Sequence, residues 1–498
     1  MGNFLQNILK NIQLKPLKEV TLPGKLYSKT SFSQLRSPGF LLIALLEIFT
    51  ISYFAIYFLG GGLWAILRNA GTDSSVLGMP TQELLGYNPV WQQLGISLGL
   101  LTIAHMALNF VLTTKWRWVE NLFGGQDKAY KVHNLIGRFT LIIAILHPTV
   151  LITAALGNWE LIGLYITPGA YLPYSFGSLA LSTLILLIVL TIAVKMPYQW
   201  WLRTHRFMGV PLLLAGIHAF LINPEYQTPW NARTPFLLIW VLGMGAYIYS
   251  IFLFRYLGPR VKGVLKQIKL TEGVSELIVD LTRPIRVLPG QFMLLEVPAS
   301  AAIPKESHPF SISGVAEGKY LDSTKQVRFS IKALGDFTAK LSNLLPGAEI
   351  KLQGPFGKFG ERYLNGKKDM IWIAGGIGVT PFLSMLGHEA QAPSNKIIDF
   401  YWSVKTASEA TYQAEIEAKA VQINQAHVGQ FNYRQHIADT SNFLTAQIIA
   451  DHLGGTENFR NRTIYICGPA MMMHALAEQF QNLGVRPSQI VFEEFAFN

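Results

Sequence analysis

Long uncharged apolar runs crowd residues 39–257, whereas short alternating runs broken by turns fill residues 259–498. Crossing a bilayer takes about 20 mostly apolar residues in a helix. Six stretches have that character: about 39–67, 91–114, 133–156, 176–196, 205–222 and 234–257. The fifth is short and carries Pro211, which predicts a local distortion there. Ahead of the first stretch, Phe4, Leu5, Ile8, Leu9 and Ile12 recur at helical spacing with Lys10 and Lys15 nearby. That pattern predicts either an interfacial helix or a partly ordered tail. The basic start lacks a continuous apolar core of the kind a cleavable leader needs.

The soluble half changes period. Residues 261–268, 276–281, 292–297 and 327–331 alternate like strands and predict a small antiparallel barrel. From 369 onward, apolar runs at about 370–374, 397–402, 431–437, 463–467 and 489–494 alternate with helical patterns, which predicts an open parallel sheet. The expected division is a tail over 1–36, a membrane domain over 37–258, a barrel over 259–365 and an α/β domain over 366–498. No internal repeat or low-complexity segment is evident.

Charge gives the expected orientation. The chain carries a formal net charge of +11, with Lys and Arg concentrated in the first tail, in 115–132 (Lys115, Arg117, Lys128, Lys131) and in 197–206 (Arg203, Arg206). The loop 157–175 has neither Lys nor Arg. Positive loops stay inside, so both termini are expected in the cytosol, with a bacterial inner or plasma membrane as the setting. No dense basic patch accompanies a nucleic-acid motif, which argues against nucleic acid as a partner. The single cysteine, Cys467, excludes an internal disulfide, iron–sulfur ligation and a cysteine zinc site.

Candidate chemistry begins with four intramembrane histidines. His133 and His147 lie 14 residues apart in the third stretch, and His205 and His218 lie 13 apart in the fifth. Helical rise makes these steps about 21 Å and about 20 Å. The two stretches run in the same direction, so His133 is expected level with His205 and His147 with His218. Two bis-histidine haems, one in each leaflet, need such pairs. Gly137 and Gly209 each follow the first histidine of their stretch by four residues, which would let a porphyrin lie against the helix. A zinc or proton path would use the same residue types, as would a histidine-lined transporter, but neither accounts for the soluble half. His105 has no partner at matched spacing and reads as a packed histidine.

In the soluble half the motifs run in order: Pro289-Gly290-Gln291-Phe292; His308-Pro309-Phe310-Ser311-Ile312-Ser313; Lys332 with Gly335 and Thr338; Gly354 to Gly357; Gly375-Gly376-Ile377-Gly378-Val379-Thr380-Pro381; Cys467-Gly468-Pro469; and the terminal Phe492-Glu493-Glu494-Phe495-Ala496-Phe497-Asn498. Glycines after a first strand let backbone N–H groups approach a phosphate. This series resembles the ferredoxin–NADP⁺ reductase family. Joined to the histidine-bearing membrane stretches, it resembles the NADPH oxidase and ferric reductase superfamily over about residues 36–498.

That resemblance implies a multi-domain fold: a six-helix transmembrane haem bundle, an antiparallel β-barrel for FAD and an α/β parallel-sheet domain for the dinucleotide. It implies two haem b on His133, His147, His205 and His218, with FAD and NADPH (or NADH) as the other cofactors. His308, Pro309, Phe310 and Ser311 would hold the flavin ring and ribityl side, and Lys332, Gly335 and Thr338 its pyrophosphate region. Gly375, Gly376, Gly378, Thr380 and Pro381 would hold the nicotinamide dinucleotide. Cys467, Gly468 and Pro469 would border the nicotinamide, and Phe495 or Phe497 would stack on the flavin. His308 stands where many members carry Arg, as in the oxidase branch. Lys405, with Arg434, could reach a 2′-phosphate and so favours NADPH.

The expected activity moves electrons from NAD(P)H across the membrane to oxygen, giving superoxide, or to a ferric chelate. The loop 157–175 has one acid, Glu160, among many apolar and aromatic residues, so it reads as a lid and favours oxygen. A haem-bearing donor serving another membrane protein is a third possibility, although the chain carries no sign of an obligate protein partner. No calcium-binding loop is visible.

Overall fold

The computed structural model describes residues 13–14, 38–39, 89–222, 230–298, 303 and 306–493. The expected first span (except Gly39), most of the amphipathic tail, and Phe495 and Phe497 lie outside the described residues. The chain divides into two compact units, drawn chiefly from residues 36–256 and 257–498.

The first unit is helical: α1 (Pro89–Leu112), α2 (Arg117–Phe123), α3 (Gln126–Ala154), α4 (Trp159–Ile166), α5 (Leu172–Ile192), α6 (Tyr198–Arg206), α7 (Gly209–Leu221) and α8 (Trp230–Ile248). The last continues through a π-helical turn, Tyr249–Leu253, into Phe254–Leu257. Among the described residues four helices are long and apolar enough to cross a membrane, over Leu94–Leu112, Gln126–Ala154, Leu172–Ile192 and Phe236–Leu257. Phe139, Ile142, Ile145 and Leu146 on α3, and Leu179, Leu186 and Val189 on α5, are exposed. Apolar side chains facing outward on consecutive turns suit hydrocarbon rather than water. Inside, α5 packs along α7 and α1 along α8. A Cβ on Gly243 would stand 2.5 Å from the Ala107 Cβ, so small residues set the α1–α8 approach.

The expected fifth span is not one long helix. Residues 198–221 form two helices, α6 and α7, separated by Phe207 and Met208 in a tight turn, with Met208 N–H donating to His205 O at 3.1 Å. Pro211 does not cause the break. It lies in the first turn of α7, where backbone N–H groups have no partner inside the helix and proline is tolerated. Gln13–Leu14 pairs antiparallel with Val194–Lys195.

The second unit opens with a closed barrel: β1 (Arg260–Thr271), β2 (Val274–Ile285), β3 (Phe292–Glu296), β4 (Ser307–Gly318), β5 (Thr324–Lys332) and β6 (Glu349–Phe356), in the order β1-β2-β5-β4-β3-β6. Glu272 and Gly273, both at positive φ, turn the β1–β2 hairpin. Alternate residues such as Leu277 and Val279, Met293 and Leu295, and Ile350 and Leu352 point into the core. A short helix, α9 (Asp336–Lys340), follows β5, and α10 (Phe359–Asn365) follows β6.

The remainder is a parallel sheet in the order β9-β8-β7-β10-β11, from β7 (Met370–Gly375), β8 (Ile398–Val404), β9 (Phe431–Ile437), β10 (Thr463–Cys467) and β11 (Ile490–Glu493). Helices α11 (Thr380–Gln391) and α12 (Gln413–Ala426) pack on one face, and α13 (Ala446–Leu453) and α14 (Ala470–Asn482) on the other. All six residues of β7 are buried, as a central strand covered on both faces requires. Strand order reverses between β7 and β10, so a crevice opens at their carboxyl ends.

Candidate functional site

In the helical unit the four histidines form two pairs. The His133 and His205 rings are 6.0 Å apart and inclined by 75°; those of His147 and His218 are 6.2 Å apart at 73°. Each ring is anchored from a different helix through Nδ1. His133 donates to Asn109 O at 3.2 Å, His147 to Gly95 O at 2.6 Å and His218 to Pro173 O at 2.7 Å. Carbonyls only accept, so in these three rings Nδ1 carries the proton and Nε2 keeps its lone pair. His205 has a hydroxyl instead, Thr191 Oγ1, at 3.4 Å, and its ring stacks on Trp201 at 5.1 Å and 6°.

Glycines make room for the second pair. A Cβ on Gly99 would meet the His147 ring at 2.8 Å, and one on Gly177 would meet the His218 ring at 2.8 Å. The sequence pointed to Gly137 and Gly209 instead. Gly137 is open apart from the Asn109 amide at 3.5 Å, but a Cβ on Gly209 would stand 2.3 Å from the Tyr247 ring. Gly209 therefore accommodates Tyr247, whose hydroxyl donates to Arg206 O at 2.9 Å.

An imidazole pair offers two nitrogen donors, and among the described residues no three His, Cys, Asp or Glu side chains converge as a metal site. A metal between the rings would need its other donors from a macrocycle, as porphyrin provides. Backbone carbonyls accepting from Nδ1 are usual partners of a ligating histidine. The residues present thus fit haem.

In the barrel, His308, Pro309, Phe310 and Ser311 lie on β4 opposite Leu295, Leu294, Met293 and Phe292 of β3. The His308 ring packs 4.4 Å from that of Phe337 on α9, and its Nε2 lies 2.6 Å from Glu306 Oε2. Thr338 Oγ1 accepts from Leu334 N and Gly335 N, both at 3.0 Å, which fixes the loop leading into α9. Nothing within 4 Å would block a Cβ on Gly335, so its backbone faces open space. Lys332, assigned by resemblance to the pyrophosphate region, is paired with Glu409 at 3.2 Å.

At the sheet crevice the structure unites two separated motifs. Gly375 ends β7, Gly376 turns at φ +52°, and Gly376–Val379 leads into α11 at Thr380 and Pro381. A Cβ on Gly378 would stand 2.4 Å from Cys467 O, and one on Gly468 would stand 3.0 Å from Gly375 Cα. Pro469 caps α14 and lies 2.9 Å from where a Gly375 Cβ would be. The Cys467 side chain itself is buried. Trp402, which no sequence motif marks, donates its indole N–H to Gly376 O at 2.9 Å and props the loop.

Lys405 is exposed just beyond β8. Arg434 is engaged elsewhere: it pairs at 3.3 Å with the buried Asp399, which also bonds Arg462. Barrel and sheet meet through Arg328, which reaches Glu415 with both terminal nitrogens at 2.8 and 2.9 Å. Burial works against the charge on Glu415, but the Arg328 hydrogen bonds and charge hold its carboxyl down to about 2.

Comparison with known proteins identifies two regions of the chain. Residues 98–216 match the family described as ferric reductase like transmembrane component, and residues 372–478 match the oxidoreductase NAD-binding domain. The toluate 1,2-dioxygenase electron transfer component of Pseudomonas putida is 28% identical over 218 residues, 42% of this chain and 59% of that protein. The electron transfer subunit of dihydroorotate dehydrogenase B (NAD(+)) from Clostridium acetobutylicum is 28% identical over 226 residues, 45% of this chain and 78% of that protein. A ferredoxin reductase in carbazole 1,9a-dioxygenase aligns over 47% of this chain and 69% of its own, at 21% identity and a TM-score of 0.39. The chain thus joins a region similar to a ferric reductase like transmembrane component to a region similar to an oxidoreductase NAD-binding domain, the pairing of a membrane oxidoreductase.

Proposed function

We propose that this chain carries electrons from cytosolic NAD(P)H across a membrane to oxygen, releasing superoxide, with FAD and two b-type haems as its resident groups. The observation that carries the reading is the pair of histidine pairs, each ring held through Nδ1 with Nε2 left for a metal. His133 and His205 would hold the inner haem, and His147 and His218 the outer. FAD would convert the two-electron donor into single electrons that haem accepts.

The remaining work falls to the protein. The Gly375–Thr380 turn presents backbone to the dinucleotide phosphates, and Cys467, Gly468 and Pro469 border the nicotinamide. His308 to Ser311, with Lys332 and Thr338, orient the flavin. For Lys332 to meet a phosphate it must exchange its bond to Glu409. With Arg434 tied to Asp399, a preference for NADPH rests on Lys405. Six spans with both termini inside complete the reading.

Oxygen is favoured over a ferric chelate by the segment between α3 and α5. It holds α4 and one acid, Glu160, and its Tyr165 and Tyr171 rings pack against Tyr174 at the start of α5, at 4.8 and 4.9 Å. Such a surface suits a small neutral acceptor better than a charged complex. The test runs superoxide dismutase-sensitive cytochrome c reduction beside ferric chelate reduction on the purified protein. Superoxide in excess supports the oxidase. Ferric reduction that persists without oxygen, with superoxide at background, assigns a ferric reductase; turnover only with an added membrane partner assigns an electron donor.

A further inference from the structure

Three of the four paired histidines rest on backbone carbonyls, which no substitution removes. His205 alone rests on a side chain, Thr191 Oγ1 on α5. The Thr191 hydroxyl proton is already committed: Oγ1 donates to Leu187 O at 2.7 Å, one helical turn back. Toward His205 it therefore acts as acceptor, and the His205 proton must sit on Nδ1, leaving Nε2 bare toward His133. Trp201 reinforces this corner. Its ring lies parallel to the His205 imidazole, and its indole N–H donates to Thr191 O at 3.3 Å.

The two pairs are therefore held unequally. His147 and His218 have short bonds, 2.6 and 2.7 Å, to carbonyls. His133 and His205 have long ones, 3.2 and 3.4 Å, and that of His205 goes to a hydroxyl. A strong bond from Nδ1–H pushes electron density onto Nε2 and makes the ring a better donor to an oxidised metal. A weak one does so less.

We propose that Thr191 is the positioning residue for His205. Its hydroxyl selects the ring tautomer, and as the weaker acceptor it leaves the haem of the His133–His205 pair at a higher reduction potential than that of the His147–His218 pair. The inference rests on the two-haem reading above.

Thr191→Val keeps the shape and removes the acceptor; Thr191→Ser keeps the acceptor. The measurement is spectroelectrochemistry on the purified full chain, with haem content determined on the same samples. The expected wild-type curve has two components. Thr191→Val moves the higher one further up, or empties that site alone, while Thr191→Ser follows wild type. Indistinguishable curves for valine and wild type, or equal shifts in valine and serine, overturn the positioning role. Movement of the lower component overturns the ordering of the pairs. Should the valine variant fail to fold, Thr191→Ala puts the same question. Wild-type protein without haem would refute the two-haem reading itself, a result distinct from any of these.

Discussion

The helical unit and the reductase unit build their candidate sites from different parts of the chain. In the helices, four side chains converge in pairs, and their register along α3, α6 and α7 brings them level. In the reductase unit the close approach is made by backbone, where Gly375, Gly378 and Gly468 let two turns touch. A side-chain site should fail completely when one donor is removed. A backbone site should fail by degrees, as added atoms push the turns apart.

The largest effect expected from that contrast is at the histidines. Replacing His218 by Leu should abolish electron transfer to the external acceptor, while NAD(P)H-driven reduction of a soluble dye by the flavin module stays near wild type. Parallel assays on one preparation check this, and dye reduction falling in step with the acceptor activity would break the contrast. Next comes Gly378→Ala. Its Cβ would stand 2.4 Å from a backbone carbonyl, which cannot turn aside as a side chain does. Overpacking of this kind costs about 1–3 kcal/mol. Thermal unfolding should begin several degrees lower, with a raised KM for NAD(P)H and residual turnover. An unchanged KM would remove the turn from the dinucleotide site.

The pairing of the histidines was legible in the sequence because both steps are about 20 Å long and both stretches run in the same direction. The route by which His205 and His218 reach their depths was not. It depends on the turn at Phe207 and Met208, which itself contains neither glycine nor proline. The strands of the barrel and sheet were readable from alternation and apolar runs. The supports of the sites were hidden, because each joins residues far apart in the chain. Gly99 makes room for His147, Gly177 for His218, Thr191 meets His205, and Trp402 holds Gly376. Gly209 illustrates the converse: its position one turn past His205 suggested a porphyrin face, yet Tyr247 fills that space.

A smaller effect is expected where barrel and sheet meet. Glu415 titrates lower in the fold than in the unfolded chain, so its contribution is full above the ordinary value of about 4.5 and is lost as pH falls toward about 2. Glu415→Gln should lower stability at neutral pH by about 2 kcal/mol, since Arg328 loses its two charged hydrogen bonds and keeps only Glu276, at 3.6 Å. The same change should flatten the pH dependence in that window. Denaturant unfolding across pH checks it, and parallel curves for both proteins would contradict the assignment. The smallest effect is that of Lys405→Ala. An exposed cation contributes about 0–1 kcal/mol, so KM for NADPH should rise by up to about fivefold, with that for NADH unchanged. Equal cofactor preference in both proteins would dismiss Lys405.

What the histidine pairs hold decides whether electrons can cross the membrane through this chain. The direct measurement is the ratio of haem b to protein in purified wild type and in His147→Leu. Two haems per chain with a low-spin bis-histidine spectrum, falling to one in the variant, is the predicted result. Wild type without haem, or a ratio that His147→Leu leaves unchanged, would contradict it.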